Sequence, residues 1–496
     1  MKILLVTSEA VPFAKTGGLA DVAGALPVEL ANLGHEPIVI MPAYRAAKNG
    51  STRLEDTGIT FTVPIGSKTL HGRFLKSTLP NSDVPVYLVE NDEYFDRPQL
   101  YTEGGQDYAD NCERFTFFCR AVMEAIHLFD WQLDVVHLND WQTGLVGAYF
   151  KTEYRGVPGY EKPIILFTIH NLAYQGQFWH WDMLVTGLDW KYFNWQQMEF
   201  YGKLNLMKTG LVFADAINTV SPKYAEEIQS APLGCGLEGV LTQRRDVLSG
   251  IINGVDYREW NPAIDPFLPC KYDDKTFHEG KAACKAALQQ EFNLPIEPGV
   301  PLLGFVGRLA EQKGIDLVAS VMQDWVKSND AQWILLGTGE PKYQTLLADL
   351  AKRYPDKVGL KLAFSNELAH RIEAGADMFL MPSRYEPCGL NQLYSLKYGT
   401  LPIVRATGGL VDTICGTTEE TIEAGCATGF TFRDYSPLAL ADAISLACSA
   451  YQTPRIWQQL IVTAMQQDWS WSRSASEYVS LYQRTIARTR RAALVG

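Results

Sequence analysis

A chain of 496 residues exceeds what one ordinary hydrophobic core supports, so two domains of roughly 200 to 250 residues each are expected, with a cleft between them as the place for a ligand. Its 47% hydrophobic and 20% charged residues exclude extended disorder, and a formal net charge of -12 excludes a broad nucleic-acid surface, leaving only a short basic stretch at 484–491. Nine cysteines without a C-x-x-C pair offer neither a disulfide framework nor a zinc site and fit the scattered thiols of a reducing, cytoplasmic compartment.

The first predicted elements are a strand at 3–7 and a helix at 19–33, whose Leu19, Val22, Leu26, Leu30 and Leu33 share a face that Gly34 closes. The apolar run at 3–6 is followed by Ser8 and Glu9, too short for a secretory leader, and reads as a buried strand. No run approaches the roughly 18 apolar residues of a membrane span. Strands follow at 37–41, 86–89, 135–138, 164–169 and 216–220, most leading through a turn into a helix, which is the alternation of a parallel sheet covered on both faces. After Asn253-Gly254-Val255-Asp256, a loop at 260–269 rich in Pro and aromatic residues breaks the rhythm. It resumes with strands at 302–306, 333–336, 358–364, 378–381 and 402–404. The fold class is therefore expected to be α/β, with two doubly wound, Rossmann-like domains at 1–255 and 256–470 facing an interdomain cleft and binding ligands beyond the carboxyl ends of their strands. Trp469-Ser470-Trp471-Ser472 then leads into a final amphipathic helix within 471–496, with Tyr478, Leu481 and Tyr482 on one face.

Several loops combine cations, glycines and carboxylates. Lys15-Thr16-Gly17-Gly18 joins the first strand to the first helix, where exposed N–H groups, the helix dipole and a lysine suit a diphosphate. Its spacing is neither the Walker pattern nor the dinucleotide fingerprint, which counts against an ATPase or a dehydrogenase; taken alone it also fits a tight turn with a surface lysine. In the second half, Arg308 and Lys313 occupy the corresponding place in Gly307-Arg308-Leu309-Ala310-Glu311-Gln312-Lys313-Gly314, where two cations could bridge the phosphates of a leaving group or simply line an exposed turn. Glu386 to Leu390 lies between the strand at 378–381 and a helix at 391–398 and offers a carboxylate for sugar hydroxyls together with backbone N–H groups; a capping acid is the plainer reading. His170 and Asp140 end strands and face the expected cleft. The ten aromatic residues between Tyr174 and Tyr201 include flat faces of the kind that pack on sugars, although most would be ordinary packing. No Asp-x-Asp occurs, so the cations Lys15, Arg308 and Lys313 take the place of a chelated metal.

Together these segments resemble bacterial glycogen synthases and plant starch synthases, retaining glycosyltransferases of the two-domain B-type fold. The resemblance rests on Lys15-Thr16-Gly17-Gly18-Leu19, His170-Asn171-Leu172-Ala173-Tyr174-Gln175-Gly176, Asn253-Gly254-Val255-Asp256, the Arg308 to Gly314 loop, Glu386-Pro387-Cys388-Gly389-Leu390 and Tyr398-Gly399-Thr400, and it runs essentially end to end. It implies ADP-glucose as donor co-substrate, an α-1,4-glucan such as glycogen or starch extended at its non-reducing end, release of ADP, and neither a metal nor pyridoxal phosphate. The implied location is cytoplasmic, in solution or on glucan granules. The resemblance further implies that Lys15, Gly17, Gly18 and Asp21 approach the donor from the first domain, with Asn253 beside it. Arg308, Lys313 and the segment Cys388, Gly389, Leu390 and Asn391 would hold the diphosphate, and Phe364 would offer a face to the base. His170 and Glu386 would position the transferred glucose, with Asp140 completing the catalytic set and Tyr174, Trp179 and Trp181 as acceptor contacts. The final helix would cross back to the first domain. Gln142 and Phe364 depart from the bacterial pattern, which tends to His at the first position and in some members has Tyr at the second; both choices resemble starch-synthase-like members. A glucan phosphorylase is disfavoured by the Lys15 loop, and a granule-bound glucan-binding protein would have no use for the phosphate-binding cations.

Overall fold

A computed structural model describes residues 1–495 of the chain. The chain forms two compact units, one from Met1–Gly254 with the helix that starts at Trp471, the other from Val255–Ser470.

The first unit is built on nine strands: β1 (Lys2–Val6), β2 (Glu36–Pro42), β3 (Glu55–Ile65), β4 (Lys68–Thr78), β5 (Pro85–Glu90), β6 (Val135–Asn139), β7 (Ile164–Ile169), β8 (Ala216–Thr219) and β9 (Leu248–Gly250). Their order across the sheet is β9-β8-β7-β6-β1-β2-β5-β4-β3. All neighbours pair in parallel except β4, which is antiparallel to both β3 and β5. The central strands are continuous apolar runs because helices cover both faces, and Ile3, Leu4, Leu5, Val136, Leu138, Ile165 and Phe167 are wholly buried. The β3–β4 hairpin extends this sheet with the alternation of a half-covered surface: Phe61, Val63 and Ile65 point inward between exposed neighbours.

The helix Gly18–Asn32 ends one residue earlier than its apolar pattern suggests. Gly34 takes φ 82° there, and the amides of Gly34 and His35 donate to Ala31 and Leu30. The chain therefore turns away before Leu33 can join the buried face, and Leu33 is exposed.

The second unit carries β10 (Leu302–Val306), β11 (Gln332–Leu336), β12 (Val358–Lys361), β13 (Met378–Met381), β14 (Leu401–Arg405) and β15 (Phe430–Phe432) in the order β12-β11-β10-β13-β14-β15, every pair parallel. This is the doubly wound order 3-2-1-4-5-6. The strand expected to reach Phe364 stops at Lys361; Leu362 and Phe364 leave the sheet and are exposed.

The final helix Trp471–Val495 packs on the helix Gly18–Asn32 and on β7. Its Tyr478 and Tyr482 are fully buried and tied to the sheet, Tyr478 Oη accepting from Asn218 Nδ2 at 3.1 Å and Tyr482 Oη lying 2.9 Å from His137 Nδ1. Burial pushes His137 down to about 3, so it stays a neutral ring that shares its other nitrogen with Thr168 Oγ1 at 2.8 Å. Tyr482→Phe is expected to cost about 1–2 kcal/mol of unfolding free energy and Tyr482→Ala about 3–5 kcal/mol, read from urea denaturation. Equal losses in the two variants would mean that the phenol, and not the ring, anchors the helix.

Candidate functional site

In an open parallel sheet, the loops leaving two adjacent strands diverge where the strand order reverses, and the gap between them is the natural ligand crevice. The reversal lies between β1 and β6 in the first unit and between β10 and β13 in the second. The loops after these four strands hold most of the residues singled out from sequence.

Leaving β1, the chain turns through Thr7, Ser8 and Glu9 before reaching Lys15. The Glu9 carboxylate is buried, 4% exposed, and accepts from the backbone N–H of Thr16 at 2.5 Å and of Gly17 at 3.2 Å, and from the hydroxyls of Thr16 at 2.5 Å and Tyr101 at 2.7 Å. Gly17 is extended, and a Cβ there would meet open space, so this glycine leaves room beside the turn and relieves no strain. Its N–H points to Glu9, not to solvent. Lys15 Nζ folds back onto Asp21 Oδ1 at 2.6 Å, and burial raises the Asp21 carboxyl despite the opposing pull of Lys15. Half of the Lys15 side chain is exposed, and an ion pair of this kind is worth about 0–1 kcal/mol, so a dianionic ligand can take the lysine over. Gly18 is the first residue of the helix, where N–H groups have no intrahelical partner.

At the end of β6, Asp140 adopts φ 57°, a strained conformation for a residue with a side chain. Its Oδ1 accepts the His170 N–H at 2.8 Å. Asn139 donates through Nδ2 to Val6 O at 3.0 Å, which turns its Oδ1 toward His170 Nε2, 2.9 Å away. A carbonyl oxygen accepts only, so Nε2 carries the proton and Nδ1 is left as the acceptor. Burial lowers His170 to about 3. The ring is thus neutral at working pH, and its Nδ1 can accept from a sugar hydroxyl. Burial pushes Asp140 up to about 7, opposed by the N–H groups of His170 and Asn171 and reinforced by the Glu9 charge.

In the second unit, Lys313 Nζ meets Glu386 Oε2 at 2.6 Å, and Ser383 Oγ donates to the same oxygen at 3.0 Å. Glu386 is buried, whereas about a quarter of the Lys313 side chain is exposed. Arg308 is exposed and donates through Nη2 to the neutral Gln312 Oε1 at 2.8 Å, which leaves its charge uncompensated by that partner. The loops are held by close backbone contacts. Gly314 sits at φ 72°, where a Cβ would lie 2.1 Å from Pro382 O, and Gly408 at φ 46°, where it would lie 2.0 Å from Glu386 O. The Cys388 side chain is buried, so only its backbone can face a ligand. Gly389 takes φ 75°, Gln392 Nε2 donates to Cys388 O at 2.9 Å and to Gly389 O at 3.1 Å, and Leu390 and Asn391 are partly exposed. Asn391 Nδ2 donates to Val306 O at 2.9 Å, tying the β13 loop to the end of β10. Phe364 is 90% exposed, an uncovered ring on the surface of the unit.

Asn253 is buried, and its Oδ1 has no hydrogen-bond partner among the described residues. Of the aromatic cluster, Tyr174, Trp179 and Trp181 are exposed. Trp179 and Trp181 meet edge to face at 6.3 Å, and Trp181 meets Trp190 in the same way at 5.4 Å. Phe178, by contrast, turns inward against Trp141.

Sequence reasoning missed Glu9 and Asn139. Polar residues at the end of β6 and just beyond that of β1 were the available signal, since a buried strand in a parallel sheet has little other reason to lead into them.

Residues 2–243 match the family described as the starch synthase catalytic domain, and residues 288–459 match glycosyl transferases group 1. Over 502 residues the chain is 46% identical to a glycogen synthase of Rhodopirellula baltica, covering 99% of both chains. It is 47% identical over 491 residues to a glycogen synthase 2 of Nitrosococcus oceani, covering 98% of each. Among solved structures it is similar to the catalytic domain of starch synthase IV from Arabidopsis thaliana bound to ADP and acarbose, with TM-score 0.90 and 31% identity over 98% of this chain and 99% of that one. A sucrose-phosphate synthase from Thermosynechococcus elongatus, at TM-score 0.60 and 18% identity over 98% of this chain and 99% of that one, shares the fold. With relatives at this identity over nearly its whole length, and with cations and carboxylates on the loops of two doubly wound sheets, the chain belongs to the glycogen and starch synthase family of glycosyltransferases, enzymes of glucosyl transfer.

Proposed function

We propose that the donor is ADP-glucose and that the enzyme adds its glucose, with retention of configuration, to the non-reducing end of an α-1,4-glucan, releasing ADP. The observation that carries this reading is the cation pair at the end of β10: Lys313 held against Glu386, and Arg308 on a neutral partner five residues away. Such a pair stabilises a diphosphate as it departs. The starch synthase IV domain, solved with ADP and acarbose, supports both the donor class and a sugar acceptor. No separate cofactor enters the scheme, and the reaction is proposed to run in the cytoplasm.

Arg308, Lys313 and the backbone from Cys388 through Asn391 hold the diphosphate, with Lys15, Gly18 and Asp21 acting on the same donor from the first unit. Gly17 supports this turn through its bond to Glu9. Lys15 and Lys313 each exchange an internal carboxylate for a phosphate as the donor binds. Glu386 and the Nδ1 of His170 accept sugar hydroxyls, Asn253 turns its unpaired Oδ1 to the donor, and Phe364 stacks on the base. The acceptor hydroxyl enters on the face the diphosphate leaves, and the departing phosphate takes its proton. Asp140 fixes the His170 backbone and, when ionised, favours the oxocarbenium-like transition state. Tyr174, Trp179 and Trp181 offer their exposed faces to the glucan. The domain limits 1–255, 256–470 and 471–496 are proposed as functional boundaries.

Incorporation of labelled glucose into glycogen from ADP-glucose, without added metal, is the direct test. It is expected to exceed that from UDP-glucose, and no incorporation from either donor would sink the reading. Lys313→Ala and Arg308→Ala should each lower kcat by about 100-fold or more, with the glycogen KM nearly unchanged. A variant that weakens only acceptor binding would place its cation elsewhere. For Asp140, a pKa of about 7 makes the ionised fraction rise from pH 6 to 8, and kcat should rise with it. The same raised value means that the folded state favours the protonated acid, so this group's contribution to stability is present at low pH and lost as pH climbs through about 7. Asp140→Asn should therefore flatten and lower the kcat profile, and its melting temperature relative to the parent should improve from pH 5 to pH 8. His170 should add no limb in that window.

A further inference from the structure

The turn from Lys15 to Gly18 owes its shape to a residue that the reaction scheme leaves out. Glu9 stands three residues beyond β1, and its carboxylate fills the inner side of the turn. Oε2 accepts the N–H groups of Thr16 at 2.5 Å and Gly17 at 3.2 Å, while Oε1 accepts the hydroxyls of Thr16 at 2.5 Å and Tyr101 at 2.7 Å. The Glu9 backbone is fixed in turn by Thr7, whose Oγ1 accepts the Glu9 N–H at 3.2 Å and donates to its carbonyl at 2.7 Å. With its proton on Glu9, Tyr101 Oη accepts from Ser8 Oγ, 2.8 Å away, so the clamp is braced from a loop about ninety residues away.

A turn rich in glycine is otherwise free to sample many shapes, and a side chain at Gly17 would find nothing within 4 Å to pack against, so the restraint comes from hydrogen bonds. Two of the N–H groups that such a turn presents to an anion are already occupied by an internal one. What remains to meet a phosphate is the ammonium of Lys15 and the N–H of Gly18 at the start of the helix. We propose that Glu9 is a positioning residue for the donor: by holding Thr16 and Gly17 from within, it fixes the turn so that Lys15 and Gly18 face the diphosphate. This rests on the donor reading above. Glu9 touches no substrate; it acts through the turn.

The test follows from the chemistry of the four bonds. An amide at position 9 can still accept both N–H groups through its oxygen and donate its NH2 to the two hydroxyls, which rotate to accept. Glu9→Gln should therefore preserve the turn, whereas Glu9→Ala empties it. Calorimetric binding of ADP, which needs no turnover, is measured first, followed by the KM for ADP-glucose and for glycogen. Glu9→Ala should weaken ADP and raise the ADP-glucose KM about tenfold or more, with the glycogen KM within about twofold, while Glu9→Gln should stay within about threefold of the parent for all of them. Thr16→Val, which removes only one hydroxyl donor, should give an intermediate loss and serves if Glu9→Ala fails to fold. A Glu9 that served the fold alone would move the glycogen KM together with the ADP-glucose KM. Unchanged ADP affinity in Glu9→Ala and Thr16→Val overturns the proposal, as does a Glu9→Gln variant as impaired as Glu9→Ala. A parent enzyme that neither binds ADP nor uses ADP-glucose removes the donor reading, and this inference falls with it; a parent that does both while the variants match it removes the inference alone.

Discussion

The reversal of strand order in each sheet is the constraint on which everything else rests. A parallel sheet covered by helices on both faces has no exposed face on which to carry chemistry, so groups that meet a ligand can appear only where strands end. At β1 and β6 the chain ends its buried runs on Glu9, Asn139 and Asp140; after β10 and β13 it does so with Arg308, Lys313 and Glu386. Close backbone approaches at Gly314 and Gly408 then fix the loops of the second unit relative to one another, because no side chain fits at either position. Rigid loops on a rigid sheet are what an enzyme needs if its groups are to meet a transition state without reorganising.

Charge is handled locally in a chain that is acidic overall. Lys15 rests on Asp21 and Lys313 on Glu386, while Arg308 has a neutral amide. These pairs keep the cations ordered when no phosphate is present, and neither lysine is buried deeply enough for its carboxylate partner to be costly to replace. The acids are sorted in the same way. Glu9 is saturated by four donors, whereas burial, reinforced by the Glu9 charge, pushes Asp140 toward neutrality against the pull of its two backbone N–H partners. Two carboxylates a few residues beyond neighbouring strands thus play different parts because of what surrounds them.

The second half was the more legible in sequence. Its strands at 302–306 and 378–381 and the helix at 391–398 stand where the apolar runs and the Gly-Leu loop place them, because short buried strands flanked by glycine and proline leave little freedom in their limits. The β3–β4 hairpin went unread although Thr60-Phe61-Thr62-Val63-Pro64-Ile65 alternates, since attention to buried runs passes over strands with one solvated face. Phe364 was assigned to a strand because it continues an apolar run; the chain leaves the sheet at Lys361 and gives the ring to solvent, which no local pattern announces. The partners of Glu9 and the tautomer of His170 lay beyond reach for another reason: both depend on atoms brought together from distant parts of the chain, Tyr101 and Thr16 in one case, Asn139 and Val6 in the other.

The burial of Tyr478 and Tyr482 against Asn218 and His137 has a bearing on how the protein is made. The first unit leaves the ribosome early, but the helix that completes its core is synthesised more than two hundred residues after Gly254. Until then its sheet lacks the covering of Trp471, Tyr478 and Tyr482, and a patch of apolar strand stays open to water. The inserted unit, continuous in sequence and built of parallel strands with nearby crossovers, has all its parts available first. Biogenesis therefore runs opposite to the order of the chain: the second unit can close as it emerges, whereas the first must wait for the helix from Trp471, exposed meanwhile to proteases and to chaperones that recognise uncovered strand.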